Sequence, residues 1–496
     1  MAEREVKLSF DALLSIRIAD VVDGLGNCTI DGVEQEATYF DTETMALTRA
    51  GASLRFRSDD GWTVKLPHHQ ADRALVRGEY TVAGEEGEPP TRAVDLVRAW
   101  IRSDALVPIA HLHTSRQRAV IADSDGTAIE VVVDAVHGRA VSSGQSIRFV
   151  EAEVESKRER VAALVDKAVS RLEALGGDAS APRPKVARVL GSAASAPADV
   201  VEPEPLRRDA SLDDVVRAAI ATGTRRLIEY DAAVRLDADP EAVHHARTTV
   251  RRLRANLRTF RRWLDRDWCE AMRTELRWLG AELGRIRDAD VLLGSLSAKA
   301  KTLPSDELPD ADVLIARLDT MRRRDLEALL DAMRSDRYVA LLNALVNASN
   351  TVPVNPRMRA TRARKAARRV ARRHVRGMRK EVRRLPSAPS DSDLHEVRKR
   401  TKKARYALEA IAPIRGKNAA RAAAALADLQ DVLGLHQDAV VAIAWLSDAA
   451  RDSDAPDLAF VAGRLAARYE LDMVAARRAW RSQWARTKRL LNPVSP

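Results

Sequence analysis

Residues 243–254 read VHHARTTVRRLR, and residues 394–405 read LHEVRKRTKKAR. The two stretches align position by position. His244 falls on His395, Arg247 on Arg398, Arg251 on Lys402, Arg252 on Lys403 and Arg254 on Arg405, each 151 residues on. A second landmark follows in each half, LGRIRDA at 283–289 and LGLHQDA at 433–439, with Gly284 and Gly434 150 residues apart. Two landmarks at nearly one offset mark an internal duplication, with repeats at about 211–350 and 357–491. Turned at ~100° per residue, His244, Arg247, Arg251 and Arg254 share one arc of a helix. Val243, Val250, Leu253 and Leu257 occupy the neighbouring arc. Each copy therefore buries one stripe and holds a basic stripe beside it. Like charges three and four residues apart weaken a helix. A solvated face normally mixes signs, so a repeated single-sign stripe points to a linear polyanion as ligand.

The rest of the chain extends this reading. Its 496 residues exceed one ordinary core. The net charge of +11 is unevenly spread. Residues 1–175 hold 21 Lys and Arg against 29 Asp and Glu, whereas residues 176–496 hold 61 against 42. Such a split suggests two functions, with a polyanion partner for the second. Cys28 and Cys269 are the two cysteines and lie far apart, which excludes a disulfide framework or a zinc motif. No run of about 18 apolar residues predicts a membrane span, and the N-terminal residues EREVKLSF show no apolar signal segment. The expected setting is the cytoplasm, with polyphosphate granules as a candidate location. The sequence leaves the oligomeric state open.

Short β-branched runs such as VVVDAV and IRFVEAEVE make residues 1–175 β-rich, and residues 158–175 switch to helical spacing. Residues 176–207 are rich in Pro, Ala, Gly and Ser and read as a linker to a helical region at 208–496. The densest charge run, 357–384, carries fourteen Lys and Arg and one acid. Ala371, Val375, Met378, Val382 and Leu385 give it an apolar seam, with a ridge of Arg368, Arg372, Arg376, Arg379 and Arg383 elsewhere on the helix. Nucleic acid is the rival ligand for so basic a region, though no zinc finger or aromatic reading motif accompanies it, so any such binding is non-specific.

HxxRxxxRRxR, its partner HxxRxxxKKxR and the following LGxxxDA resemble the CHAD (conserved histidine α-helical) domain over residues 211–491. The resemblance implies an all-α pair of four-helix bundles binding inorganic polyphosphate. His244, Arg247, Arg251, Arg252 and Arg254, with His395, Arg398, Lys402, Lys403 and Arg405, become candidate contacts. Arginine suits phosphate because its planar fork meets two oxygens at once. For the two histidines, bonding to a neighbouring helix and contact with phosphate both stand. Asp288 and Asp438 read as structural partners of basic groups.

In the first region, ionisable residues recur at one strand parity. Glu3, Glu5 and Lys7 alternate, as do Arg55 and Arg57, Arg116 and Arg118, and Glu151, Glu153 and Glu155; Lys65 and the pair Glu130 and Asp134 join the pattern. A closed antiparallel barrel with a charged lumen accounts for that count. The ordered set of ExExK at 3–7, YFDT at 39–42, LRFR at 54–57, TxR at 114–116, Asp134 and the final ExE at 151–153 resembles the CYTH family of triphosphate tunnel metalloenzymes. That resemblance implies an α+β tunnel domain acting on tripolyphosphate or another triphosphate with Mg²⁺ or Mn²⁺. Glu3, Glu5, Asp134, Glu151 and Glu153 would ligate the metal. Lys7, Arg55, Arg57, Lys65, Arg116 and Arg118 would clamp the substrate, with Glu3, Glu5 and Lys7 nearest the chemistry. Three activities stay open: metal-dependent triphosphatase, phosphate binding without turnover, and adenylate cyclase. Lys167 and Arg171 match no family motif, and His68, His69, His111 and His113 read as strand-end or loop residues.

Overall fold

A computed structural model describes residues 4–10, 16–67, 78–123, 126–156, 161–179, 183–207, 209–355 and 362–494, with the backbone alone for Arg4, Glu5, Asp123, Gly126, Thr127 and Pro493. The chain divides into two compact units, Met1–Asp199 and Val200–Pro496. Among the described residues no helix is long and apolar enough to cross a membrane.

The first unit is an eight-stranded antiparallel sheet. Its strands are β1 (Arg4–Phe10), β2 (Asn27–Asp41), β3 (Ser53–Arg57), β4 (Gly61–Lys65), β5 (Glu79–Val82), β6 (Val107–Asp123), β7 (Gly126–Ala140) and β8 (Ser146–Ser156), in the order β1-β8-β7-β6-β2-β3-β4-β5. Alternation of side chains sorts each strand into two faces. On one, Leu8, Phe10, Ile121, Ile129, Val131, Val133, Ala152 and Val154 form a core with α1 (Ile18–Val22) and with Val165, Ala168 and Leu172 of α4 (Ala162–Ala174). The other face takes the ionisable residues, and pairing fixes their neighbours: Lys7 opposite Glu153, Arg116 opposite Asp134, and Asp134 opposite Glu151.

Two shorter helices, α2 (Ala46–Arg49) and α3 (Thr91–Ile101), complete the first half of this unit. The YFDT segment is a turn anchor. Buried Asp41 accepts hydrogen bonds from the backbone N–H groups of Thr42, Leu47 and Thr48 and from the Thr48 hydroxyl, which fastens β2 to α2. Within the stretch expected to be a linker, Lys185–Leu190 forms helix α5. Its Val186, Val189 and Leu190 sit at helical spacing and pack on Tyr39, Leu112, Val136 and Phe149. Burial of that apolar face keeps the segment on the sheet despite its composition.

The second unit is helical throughout its named elements of any length: α6 (Leu212–Leu236), α7 (Pro240–Phe260), α8 (Arg266–Ala300), α9 (Leu308–Arg334), α10 (Asp336–Asn350), α11 (Ala363–Arg383), α12 (Asp391–Arg415), α13 (Lys417–Arg451) and α14 (Pro456–Leu491). Helices α6, α7 and α8 begin at 212, 240 and 266, and α11, α12 and α13 begin 151 residues later at 363, 391 and 417. The first copy splits its last helix into α9 and α10 at Ser335, where the second has the unbroken α14. The copies share a core. Leu292, Leu296, Leu314 and Leu318 from the first meet Leu446, Val461, Leu465 and Tyr469 from the second.

Candidate functional sites

In the sheet unit, register alone brings opposite charges together. Arg116 reaches Asp134 through two hydrogen bonds of 2.8 and 2.7 Å, and Lys7 donates to Glu153 at 2.7 Å. Asp134 is fully buried. Burial raises its pKa, but Arg116 and Lys185 outweigh that and hold it below the usual carboxylate range. Glu151 moves the other way, raised by burial more than Lys185 lowers it. Two of these partners escaped the sequence reading. From α5, Lys185 bonds Asp134 and lies 3.2 Å from Glu151, while Arg188 lies 3.7 Å from Glu151 and over the Phe149 ring at 3.9 Å. The signal was present as KVARVL, with two cations on the flank of an apolar i, i+3, i+4 set.

The remaining expected clamps form separate groups. Arg55 and Lys65 meet on Glu79 of β5 at 2.5 and 3.0 Å, and Arg57 pairs with Asp59 and Asp60. Arg118 pairs with Glu130 at 3.1 Å. Glu3 lies outside the described residues, as do His68 and His69, and the side chain of Glu5 is likewise not described; its backbone pairs with Glu155. His113 faces Glu34 and Glu36, His111 bonds Thr38, and Arg171 donates to the carbonyls of Val21 and Asp23. As a metal site, Asp134, Glu151 and Glu153 offer the all-oxygen donors that a hard divalent cation takes. Among the described residues they do not gather into a group of three, since Lys185, Arg116 and Lys7 hold them.

In the helical unit, α7 packs on α12 and the two basic stripes face each other. Arg247, Arg251, Arg398 and Lys402 converge. Burial first, then Arg398, Arg251 and Arg247, pushes Lys402 down to about 7. Arg251 lies over the Tyr406 ring at 5.4 Å, and the Nε–H groups of Arg251 and Arg398 are buried without an acceptor. The LGxxxDA landmark serves this cluster. Arg247 bonds Asp288 at 2.7 Å, and of the carboxylates acting on Arg398, Asp438 has the larger effect. A Cβ on Gly284 or Gly434 would lie 3.6 Å from Arg247 or 3.8 Å from Arg398, ordinary contact distances, so each guanidinium passes beside its glycine.

The other stripe residues diverge. Arg254 turns toward Arg277 and Arg273 of α8, and Lys403 faces Arg258. Arg252 and Arg405 both pair with Glu409, at 3.5 and 2.7 Å. His395 shares a 2.5 Å hydrogen bond with Gln437 of α13. Burial and then Arg287 lower the pKa of His244, and its neighbour His245 stacks on Tyr230.

Comparisons with known proteins bear on both units. Residues 1–183 match the CYTH domain model and residues 218–447 match the CHAD domain model. Two uncharacterized proteins from strains of Mycobacterium tuberculosis are 29% identical over 471 residues, covering 88% of this chain and 87% of theirs. Among solved structures, PptA from Streptomyces chartreusis is 26% identical, with TM-score 0.46 over 56% of this chain and 100% of that one. The CHAD domain from the plant Ricinus communis is also 26% identical, with TM-score 0.45 over 56% and 95%. A putative adenylyl cyclase from Hippeastrum, described as revealing a dominant triphosphatase activity, is 17% identical with TM-score 0.21 over 38% and 95%.

Proposed function

We propose, for a chain that joins a CYTH domain to a CHAD domain, a polyphosphate-binding protein whose sheet unit hydrolyses tripolyphosphate or a related triphosphate with a divalent metal. CYTH proteins are triphosphatases or cyclases, generally dependent on a divalent metal, so action on a phosphoanhydride is the common ground. The observation that carries the reading is the alternation of carboxylates and cations on one buried face, Asp134, Glu151 and Glu153 against Arg116, Lys7 and Lys185. Phosphoryl transfer needs little covalent help from protein. It needs the phosphates positioned and their developing charge neutralised. Arg116, Lys7, Lys185, Arg55, Arg57 and Lys65 would hold phosphate oxygens, and Asp134, Glu151 and Glu153, with Glu3 and Glu5, would hold the cation. A bound Mg²⁺ or Mn²⁺ supplies charge neutralisation and an oriented water.

One observation favours a second reading, phosphate binding without turnover. Lys185 sits on Asp134 and Glu151 where a cation would be held. A release assay with tripolyphosphate, ATP and thiamine triphosphate separates the possibilities. Orthophosphate release that needs metal supports the triphosphatase, pyrophosphate from ATP would mean a cyclase, and no release with retained binding would mean the second reading. Replacing Glu3 and Glu5 by Gln abolishes release if both ligate the metal. For the helical unit, binding of long-chain polyphosphate should weaken steeply with salt as counterions are released, and duplex DNA should compete poorly. Equal competition at matched phosphate concentration would make nucleic acid the ligand.

A further inference from the structure

Beyond the centre the two copies differ in charge. Along α7 the basic stripe continues at helical spacing through Arg254 and Arg258 to Arg261 and Arg262 just past its end. On α12 the residue matching Arg258 is Glu409. Glu409 takes both Arg405 and Arg252, and the adjoining pocket of about 350 Å³ is lined by Gly223, Leu253, Tyr406 and Pro413. The basic stripe of the second copy therefore meets a carboxylate, shared by two arginines, beside a largely apolar hollow that Arg226 also lines.

The matching place on the other side is the opposite in character. Where α6 has Gly223, α11 has His374, and it stands against Arg258. Burial, followed by Arg258, Arg373, Lys403 and Arg400, pushes His374 down to about 4. Arg258 keeps a buried Nε–H without an acceptor, and burial, followed by the like charges of Arg254, Arg273 and Arg261, lowers its pKa. Arg261, Arg262 and Arg266 line a neighbouring cavity of about 480 Å³. Its one acid, Glu270, is taken by Arg273 at 2.5 Å. A bridge between Leu264 and Val354, flanked by hydrogen bonds Asp265–Pro353 and Asn355–Trp263, fixes this corner. Among the described residues Arg254, Arg258, Arg261, Arg262, Arg373 and Lys403 make no ion pair. Arg254, Arg258 and Lys403 are partly buried, and Arg261, Arg262 and Arg373 extend the same sign of charge into solvent, an arrangement that repels itself until an anion joins it.

We propose that the polyanion track is one-sided: it leaves the centre along α7 into a terminal basin formed by Arg258, Arg261 and Arg262 with Lys403 and Arg373, while Glu409 bars the matching exit along α12. This rests on reading the helical unit as a polyphosphate binder. From Arg247 to Arg261 the helix rise gives about 21 Å, a span that a long chain covers and a chain of a few phosphates does not. The duplicated fold thus places the bound polymer off its centre, toward the end of α7.

The test titrates short and long inorganic polyphosphate into the full chain, in chelator, across a salt series. The sheet unit is unchanged in every variant, so its contribution cancels. Replacing Arg258, Arg261 and Arg262 by Ala should cost on the order of tenfold for the long chain, with the salt slope smaller by about 0.7 for each phosphate no longer neutralised. The loss should grow with chain length, and E409Q should raise long-chain affinity. A loss equal at all lengths, no loss, or no gain in E409Q overturns the proposal. Helicity should be kept, since Ala relieves like-charge repulsion, and circular dichroism checks it. A second triple variant, Arg251→Ala with Arg398→Ala and Lys402→Ala, separates the two levels. If it too binds fully, the polyphosphate reading of the helical unit fails. If it alone loses binding, only the one-sided track fails.

Discussion

Lys402 is the residue where the electrostatics of the helical unit are most exposed to test. Burial first, then Arg398, Arg251 and Arg247, lowers its pKa to about 7, and Asp438 only partly offsets them. The charged form binds a polyanion better, so affinity of the free protein for polyphosphate should fall as pH rises through about 7. Bound phosphate favours the proton and shifts that midpoint upward. Lys402→Arg stays charged and should flatten the profile between pH 6 and 8; an unchanged profile places the titration elsewhere. Lys185 offers a second test. Lys185→Met removes one of two cations on buried Asp134, leaving Arg116. Loss of a charge-assisted bond should destabilise the sheet unit by about 2 kcal/mol, read as a lower denaturation midpoint. Because Asp134 has a lowered pKa, its contribution is present above the ordinary carboxylate pKa and is lost as pH falls below it. Strand parity made Lys7, Asp134, Glu151 and Glu153 legible from sequence, because alternation assigns a face without knowing the partner strand. Lys185 was not legible, since its partners lie 51 and 34 positions away on strands that only the folded register brings beneath it.

Helices α5, α7 and α12 show what the sequence could and could not reveal about elements. The duplication was legible because an arginine, a glycine and an aspartate recur at nearly the same spacing in each copy, Arg247, Gly284 and Asp288 against Arg398, Gly434 and Asp438, with Arg247 bonded to Asp288. The helix starts then repeat at 151 residues. Helix α5 was hidden by the Pro, Ala, Gly and Ser around it, although Val186, Val189 and Leu190 already spell its buried face. Its seat is narrow. A Cβ on Gly138 would come within 2.2 Å of Val189, so Gly138→Ala should lift α5 and withdraw Lys185 from Asp134. Faster amide exchange over residues 185–190 is the expected readout. Adding Val189→Ala removes the clashing methyl groups and should restore protection; no rescue would mean that α5 is held by something other than this packing.

At the scale of the whole molecule, two units of opposite charge, −8 over residues 1–175 and +19 over residues 176–496, would divide one task. The basic unit would hold a phosphate polymer, and the acidic unit would hold a cation and cut. Under that proposal, tethering the two would raise the local concentration of chain ends at the sheet unit without any new interaction. Composition made the charge split legible, whereas a preferred triphosphate was not legible, because no motif in the sequence singles one out. The direct measurement compares metal-dependent orthophosphate release from long-chain polyphosphate and from tripolyphosphate, in the full chain and in the variant with Arg251, Arg398 and Lys402 replaced by Ala. The account predicts release from both, abolished by chelator, with KM for the long chain raised on the order of tenfold in the variant and KM for tripolyphosphate moved far less. Release from neither substrate, or an equal change for both, would contradict it.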